Sequence, residues 1–225
     1  MSVRLRLLFA TGMLLASILC LGCSTGEGAG WVRSDRLYVE DCWNGPFDLK
    51  PTFFAANPFQ EEEVLIRIQR GDNIQELSDG LTVHVSDIGR IRGELLGQAI
   101  DVGLPPGVTP PGVPIDADPD PPLVSLALYL HNTCHAENGT VYAVQPERVA
   151  DGSASSSTIT FTSLFSGDPN ENNADDRLTE ATFRAIFADP RDLEADGAVP
   201  AEKASIVEGS FHFFFQRGPP AQPFP

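Results

Sequence analysis

Apolar residues recur at every second position in three segments of the chain, residues 64–69, 81–86 and 207–216. A period of two residues puts every second side chain on the same face, which is typical of a β-strand with one buried face. The last segment carries phenylalanine at three alternate positions, Phe211, Phe213 and Phe215. We therefore predict three strands and expect these phenylalanines to face the core.

Residues 123–130 are apolar at nearly every position, which favours a central strand buried on both faces. Weaker strand patterns occupy residues 36–40, 140–144, 158–165 and 178–187. Residues 88–102 combine a helical spacing of apolar side chains with three glycines that oppose a helix, so we favour a strand there. Residues 45–59 mix glycine, prolines and four phenylalanines, and we interpret them as irregular or edge structure.

About eight short strands separated by turns, without a clear amphipathic helix, predict an all-β fold. We expect an antiparallel β-sandwich in one domain, residues 31–217, and the pattern leaves open whether its topology is jelly-roll or Ig-like. Residues 104–122 hold eight prolines and form the predicted long loop of this domain. Residues 218–225 are a proline-rich tail.

The first two dozen residues are expected to form an export signal, and an ordinary signal peptide cut near the end of this segment is one interpretation of them. Arg4 and Arg6 precede an apolar run that is shorter than the roughly 20 residues needed to span a bilayer. The run ends in Gly22-Cys23, which resembles the lipobox of bacterial lipoproteins, although Cys20 stands where that family prefers leucine. The resemblance covers residues 1–24 and implies that Cys23 is lipidated after removal of the signal peptide, residues 1–22.

The lipobox resemblance also implies a location. In the lipoprotein family an aspartate after the cysteine often marks inner-membrane retention, and this chain has Ser24 there. We therefore expect a palmitate-bearing anchor in the outer membrane, on a face that the sequence leaves open. Residues 23–30 are rich in glycine, and we interpret them as the lipidated cysteine with a flexible tether.

The net charge is −16, and the signal peptide contributes two arginines and no acidic residue. Such an acidic chain argues against nucleic acid as a partner. Apart from the anchor region, Cys42 and Cys134 are the only cysteines. A pair of cysteines in an oxidising compartment predicts one disulfide bond.

One acidic loop resembles the opening of the calcium loops of EF-hand-like and adhesive-repeat proteins. Its candidate oxygen ligands are Asp168, Asn170, Asn172 and Asp176. Alternate residues of a tight loop can direct such oxygens at one centre, as calcium requires. The resemblance fails later, because Thr179 stands where the bidentate glutamate belongs. A solvated acidic loop is the competing interpretation.

Two other groups have plausible binding chemistry. His131, Cys134 and His135 are zinc-type ligands, with His84 or His212 as further candidates, but their spacing matches no common zinc module. Trp31, Trp43 and Tyr129 are candidates for a sugar-stacking platform. Packing of Trp43 against the Cys42 disulfide is the alternative.

No catalytic motif stands in a catalytic context: the Gly-x-Ser-x-Gly match, Gly22-Cys23-Ser24-Thr25-Gly26, overlaps the lipobox and does not follow a predicted strand, and the sequence has no phosphate-binding glycine loop and no His-Glu-x-x-His. We therefore expect a non-enzymatic, membrane-anchored extracytoplasmic lipoprotein that serves as a binding or structural module. The alternative is a calcium- or carbohydrate-binding adhesive β-sandwich domain. The expected partners are the membrane, through the lipid anchor, and a protein or glycan that the sequence does not identify.

Overall fold

The structure is a computed structural model. It describes residues 25–59, 62–71, 78–105, 107–108, 122–134, 139–145, 156–168, 170–194 and 198–215. The predicted signal peptide, the tail at 218–225 and most of the proline-rich loop at 104–122 lie outside these residues.

The described chain is mostly β and forms eleven strands. They are β1 (Thr25–Val39), β2 (Trp43–Leu49), β3 (Phe53–Phe59), β4 (Glu63–Gln69), β5 (Asp79–Val85), β6 (Ile100–Gly103), β7 (Val124–Leu130), β8 (Thr140–Val144), β9 (Thr158–Ser163), β10 (Leu178–Ala188) and β11 (Ser205–Phe214). Between β5 and β6 lie the short helix α1 (Ile88–Arg90) and a π-helical turn (Ile91–Leu95). Two 3₁₀ turns, Asp175–Arg177 and Pro190–Asp192, flank β10.

All eleven strands belong to one sheet. The pairing order is β11-β1-β3-β4-β5-β7-β6-β9-β10-β8, and β2 pairs with β1. Because β11 also pairs with β10, the hydrogen-bonded path returns to its start. The pairs are antiparallel except for β6 and β7, which run parallel. The sequence therefore predicted the antiparallel β class correctly.

The core is formed by the inward side chains of all eleven strands, which belong to one cluster. Phe211, Phe213 and Phe215 are buried as predicted, whereas Phe214 on the other face of β11 is 44% exposed. Strand β7 is buried along nearly its whole length and pairs with β5, β6 and β8, so its prediction as a central strand is confirmed. A smaller apolar cluster lies beside β8 and β10.

The prediction of a flexible tether at residues 23–30 is wrong from Thr25 onward, because β1 already begins there. Gly28 and Gly30 pair with Phe213 and Phe211 of β11. A Cβ atom built on Gly28 would lie 2.4 Å from Cβ of Phe213. The glycines therefore make room for the phenylalanines of the neighbouring strand rather than making the chain flexible.

Two other segments differ from their predictions. Residues 45–59 lie mostly in the regular strands β2 and β3, so the irregular alternative is wrong. The edge alternative holds for β2, which pairs with β1 alone among the described strands, and Phe47, Phe53 and Phe54 are buried. In residues 88–102, α1 and the π-helical turn come before the short strand β6. The helical spacing of Ile88 and Ile91, and not the three glycines, indicated the structure of this segment, because the helical turns bury both side chains.

Candidate functional site

The predicted disulfide is present. Cys42 and Cys134 are bonded, with their Cα atoms 5.7 Å apart. Cys42 lies in the turn between β1 and β2, and Cys134 follows β7. The bond therefore joins two turns that are far apart in sequence, and Trp43 packs against the core next to it, as the alternative interpretation of Trp43 expected.

The turn that carries Cys134 is held by a buried carboxylate, which the sequence analysis missed. Asp79 is 1% exposed and accepts hydrogen bonds from the backbone N–H groups of Asn132 and Thr133 at 3.0 and 3.1 Å. The hydroxyl of Thr133 donates to Asp79 Oδ2 at 2.7 Å. Asp79 lies in Ser78-Asp79-Gly80, which resembles a surface turn in sequence, so only the pairing of β5 with β7 reveals its role.

A second buried polar group lies beside this turn. Arg67 donates from Nε to the hydroxyl of Tyr129 at 3.1 Å and from Nη2 to Oε1 of Gln69. Burial raises the pKa of Tyr129 to about 12. Burial, and secondly the charge of Arg67, lower the pKa of His131, whose ring packs against Tyr129. These contacts form a buried polar cluster at the end of the sheet that carries the disulfide.

The zinc hypothesis requires a thiolate that this arrangement does not provide. Cys134 is in the disulfide, and a bonded sulfur is not the thiolate that zinc binds. His84 pairs with Glu63 at 3.2 Å, and His212 is exposed on β11. His135 lies outside the described residues. Within the described part of the chain, no three His, Cys, Asp or Glu side chains are grouped to hold a metal.

The acidic loop at residues 168–176 is organised by its own hydrogen bonds. Asp168 accepts from the backbone N–H of Asn170 at 2.8 Å. The two carboxylate oxygens of Asp176 accept from Arg92 at 2.5 Å and from Asn173 at 2.7 Å. These hydrogen bonds lower the pKa of Asp176. The guanidinium of Arg92 already pairs with Asp176, and calcium binding at this loop stays a prediction.

The three aromatic side chains considered for sugar stacking have separate environments. Tyr129 is buried against Arg67, and Trp43 donates from its indole nitrogen to the carbonyl of Gly45 at 3.2 Å. Trp31 lies under the guanidinium of Arg33, which is 4.5 Å from its ring centre. Their positions give no support to a shared stacking platform.

One concave surface lies beside β1 and β11 and contains three arginines, Arg33, Arg36 and Arg184. Their charges are already used: Arg33 and Arg184 both pair with Glu208, at 3.3 and 3.2 Å. Arg36 donates to Asn44 and to the carbonyl of Glu202. This surface therefore offers less unpaired charge to a ligand than its arginine content suggests.

A second cavity opens where the sheet divides. Strand β7 pairs with β6 at its first residues and with β8 further along, and β10 likewise pairs with both β9 and β8. The side-chain nitrogen of Gln145, at the end of β8, donates to the carbonyl of Val102 in β6 at 2.7 Å and spans the division. The cavity beside it has a volume of about 490 Å³, in the range of small-molecule sites.

The walls of this cavity combine apolar and charged side chains. The apolar side chains include Leu95, Ile100, Leu104 and Leu123. Arg90, at the end of α1, and Asp101, in β6, supply the charges. Sequence reasoning missed this site, because its residues come from four separate segments and none forms a recognisable motif. We call this cavity, at the division of the sheet between β6 and β8, the fork cavity, and we consider it the candidate binding site.

Comparison with known proteins identifies no relative: no family model matches the chain, and neither a curated protein nor a solved structure matches it. Among the described residues, no helix is long and apolar enough to span a membrane.

Proposed function

We propose that this chain is an extracytoplasmic bacterial lipoprotein, anchored in the outer membrane through Cys23 and acting as a non-enzymatic binding module. The observation that carries the proposal is the Cys42–Cys134 disulfide, because structural disulfides form and persist in oxidising compartments. The Gly22-Cys23 sequence supports the anchor, and the lack of a catalytic motif outside this anchor sequence supports the non-enzymatic role. The fork cavity is the site that this binding role would use.

The position at which β1 begins predicts how an anchored molecule would be oriented on the membrane. Only Ser24 separates Cys23 from the first residue of β1. Because a strand rises by about 3.3 Å per residue, the fifteen residues of β1 extend roughly 45 Å from the anchor end to the turn that carries Cys42. An anchored molecule would therefore hold one end of its sheet close to the bilayer and present the disulfide end outward.

We also propose that the closed sheet is flattened into two facing layers, as in a β-sandwich. The single core cluster supports this arrangement, because side chains of strands that are distant in the pairing order pack in it together. A jelly-roll or an Ig-like order remains open within this proposal.

Metabolic labelling with palmitate tests the anchor. The full-length chain expressed in a Gram-negative host should be labelled and should partition with the outer membrane. Cys23→Ala should lose the label and retain its signal peptide, whereas the matched control Cys20→Ala should be processed and labelled normally. Label that persists in Cys23→Ala, or that disappears only in Cys20→Ala, would contradict the proposed anchor.

A further inference from the structure

The two charged side chains of the fork cavity have no partner in the described chain. Most described arginines donate side-chain hydrogen bonds, as Arg36, Arg92 and Arg184 do. Neither Arg90 nor Asp101 forms an ion pair or a side-chain hydrogen bond within the residues that the structure describes, apart from backbone pairing. Both side chains are exposed, so within the described residues neither charge is neutralised by a partner.

The backbone beside Arg90 has an unusual conformation. Residues Ile91–Leu95 form a π-helical turn directly after α1. Such turns are rare, and those found inside α-helices are frequent at functional sites. Here the turn follows Arg90 and ends at Leu95, and both residues line the cavity. The turn thus brings two residues of one short segment to the wall of the same cavity.

The apolar side chains indicate the rest of the ligand. Leu95, Leu104 and Leu123 are only partly buried, so each retains surface that a ligand could cover. Gly103 lies on the cavity wall, and a Cβ atom there would be 3.4 Å from Cγ of Pro122 and 3.5 Å from Nε2 of Gln145. A larger side chain at this position would occupy the cavity rather than the core.

We propose that the fork cavity binds a small zwitterion with an apolar side chain, of the class of apolar amino acids and short peptides. The carboxylate of the ligand pairs with Arg90, its ammonium group pairs with Asp101, and its apolar side chain packs against the leucines. Arginine suits the carboxylate because its planar donors match the two oxygens. This inference rests on the proposed binding role and specifies its ligand.

Calorimetric titration of the full-length chain in lipid nanodiscs tests the ligand class, with L-leucine and L-leucyl-L-leucine as probes. N-acetyl-leucyl-leucine lacks the ammonium group, and leucyl-leucine amide lacks the carboxylate. Each blocked probe should bind more weakly by about two- to fivefold, because each loses one ion pair with an exposed side chain. Equal binding of free and blocked probes, or no binding of any probe, overturns the proposal.

Variants assign each charge to its residue. Arg90→Gln should remove the preference for a free carboxylate, and Asp101→Asn should remove the preference for a free ammonium group. Gly103→Val should abolish binding while leaving the circular dichroism spectrum unchanged. The exposed pair Asp48 and Lys50 supplies the controls Asp48→Asn and Lys50→Gln, which should bind as the unmodified chain does.

The results separate this proposal from the proposed anchor. If Arg90→Gln and Asp101→Asn bind every probe as the controls do, the cavity is not the site and the inference is wrong. A chain that binds zwitterions but is not labelled with palmitate would support the cavity as a binding site and contradict the proposed anchor. A labelled chain that binds none of the probes would support the anchor and contradict the proposed ligand class.

Discussion

At the scale of single residues, the alternating pattern predicted which phenylalanines of β11 are buried, but it did not predict the buried polar groups. Asp79 and Arg67 are each 1% exposed, although both residue types are usually exposed. Each is buried because partners from other strands or turns satisfy it: Thr133 for Asp79 and Tyr129 for Arg67. Such partners are distant in sequence, so no local pattern reveals them.

Replacing Asp79 by alanine should destabilise the fold by about 1–3 kcal/mol, because the backbone N–H groups of Asn132 and Thr133 would lose their acceptor. Asp48→Ala is the control, since Asp48 is exposed and makes only a 3.8 Å ion pair with Lys50. Urea unfolding followed by circular dichroism measures both changes. A loss at Asp79 no larger than that at Asp48 would show that the carboxylate does not hold this turn.

The ion pair between Arg92 and Asp176 predicts a dependence on pH. Arg92 lowers the pKa of Asp176 below its ordinary value of 3.8, so the folded chain keeps this carboxylate charged where the unfolded chain begins to bind a proton. The resulting stabilisation is present above the ordinary value and is lost as pH falls through the lowered pKa.

Asp176→Asn should therefore lower the urea midpoint at pH 7 and have a smaller effect at pH 3. Asp175→Asn is the matched control, because Asp175 is an exposed neighbour without an ion pair among the described residues. An effect of Asp176→Asn that stays constant between the two pH values would show that charge pairing is not its source.

At the scale of elements, period-2 alternation predicted β4, β5 and β11, and an apolar run predicted β7. The same reasoning failed for the start of β1, where glycines were interpreted as a flexible tether, and it predicted β2 and β3 only as irregular or edge structure. In the folded chain a glycine of one strand lies opposite a phenylalanine of the next, as Gly28 does opposite Phe213. Composition alone could not predict this, because the reason for the glycine is on another strand.

Gly209→Ala tests this explanation. Gly209 pairs with Phe183, and a Cβ atom would lie 2.3 Å from Cε1 of that ring, so the substitution should cost about 1–3 kcal/mol through overpacking. Gly45→Ala is the control, because nothing lies within 4 Å of the Cβ position there. Combining Gly209→Ala with Phe183→Leu should recover part of the loss. Equal effects of the two alanine substitutions in thermal unfolding would refute the explanation.

At the scale of the whole molecule, the sequence predicted one β domain and the partner of each disulfide cysteine, but not the closure of the sheet. An alternating pattern states that a strand has a buried face and does not state which strands it pairs with. The sheet closes because β11 pairs with both β1 and β10, which joins the two ends of the described chain. These pairings are contacts between residues far apart in sequence, which a local pattern does not predict. The fork cavity has the same origin, since it exists only where β6 and β8 meet β7.

The disulfide adds a covalent link between the turn after β1 and the turn after β7, and its loss should destabilise the whole molecule. Cys42 and Cys134 are 92 residues apart in sequence, and a loop of this length corresponds to roughly 4–5 kcal/mol in the chain-entropy model. Most of this stabilisation comes from restricting the unfolded chain, so Cys42→Ser should lower the melting temperature and leave the folded spectrum nearly unchanged.

The double variant Cys42→Ser, Cys134→Ser is the matched control, because it removes the free thiol that the single variant leaves. Both variants and the reduced unmodified chain should melt at similar temperatures, below that of the oxidised chain. Alkylation of the denatured, unreduced protein should modify neither cysteine. If both are alkylated without reductant, or if reduction leaves the melting temperature unchanged, the bond does not stabilise the fold, and the extracytoplasmic location loses its structural support.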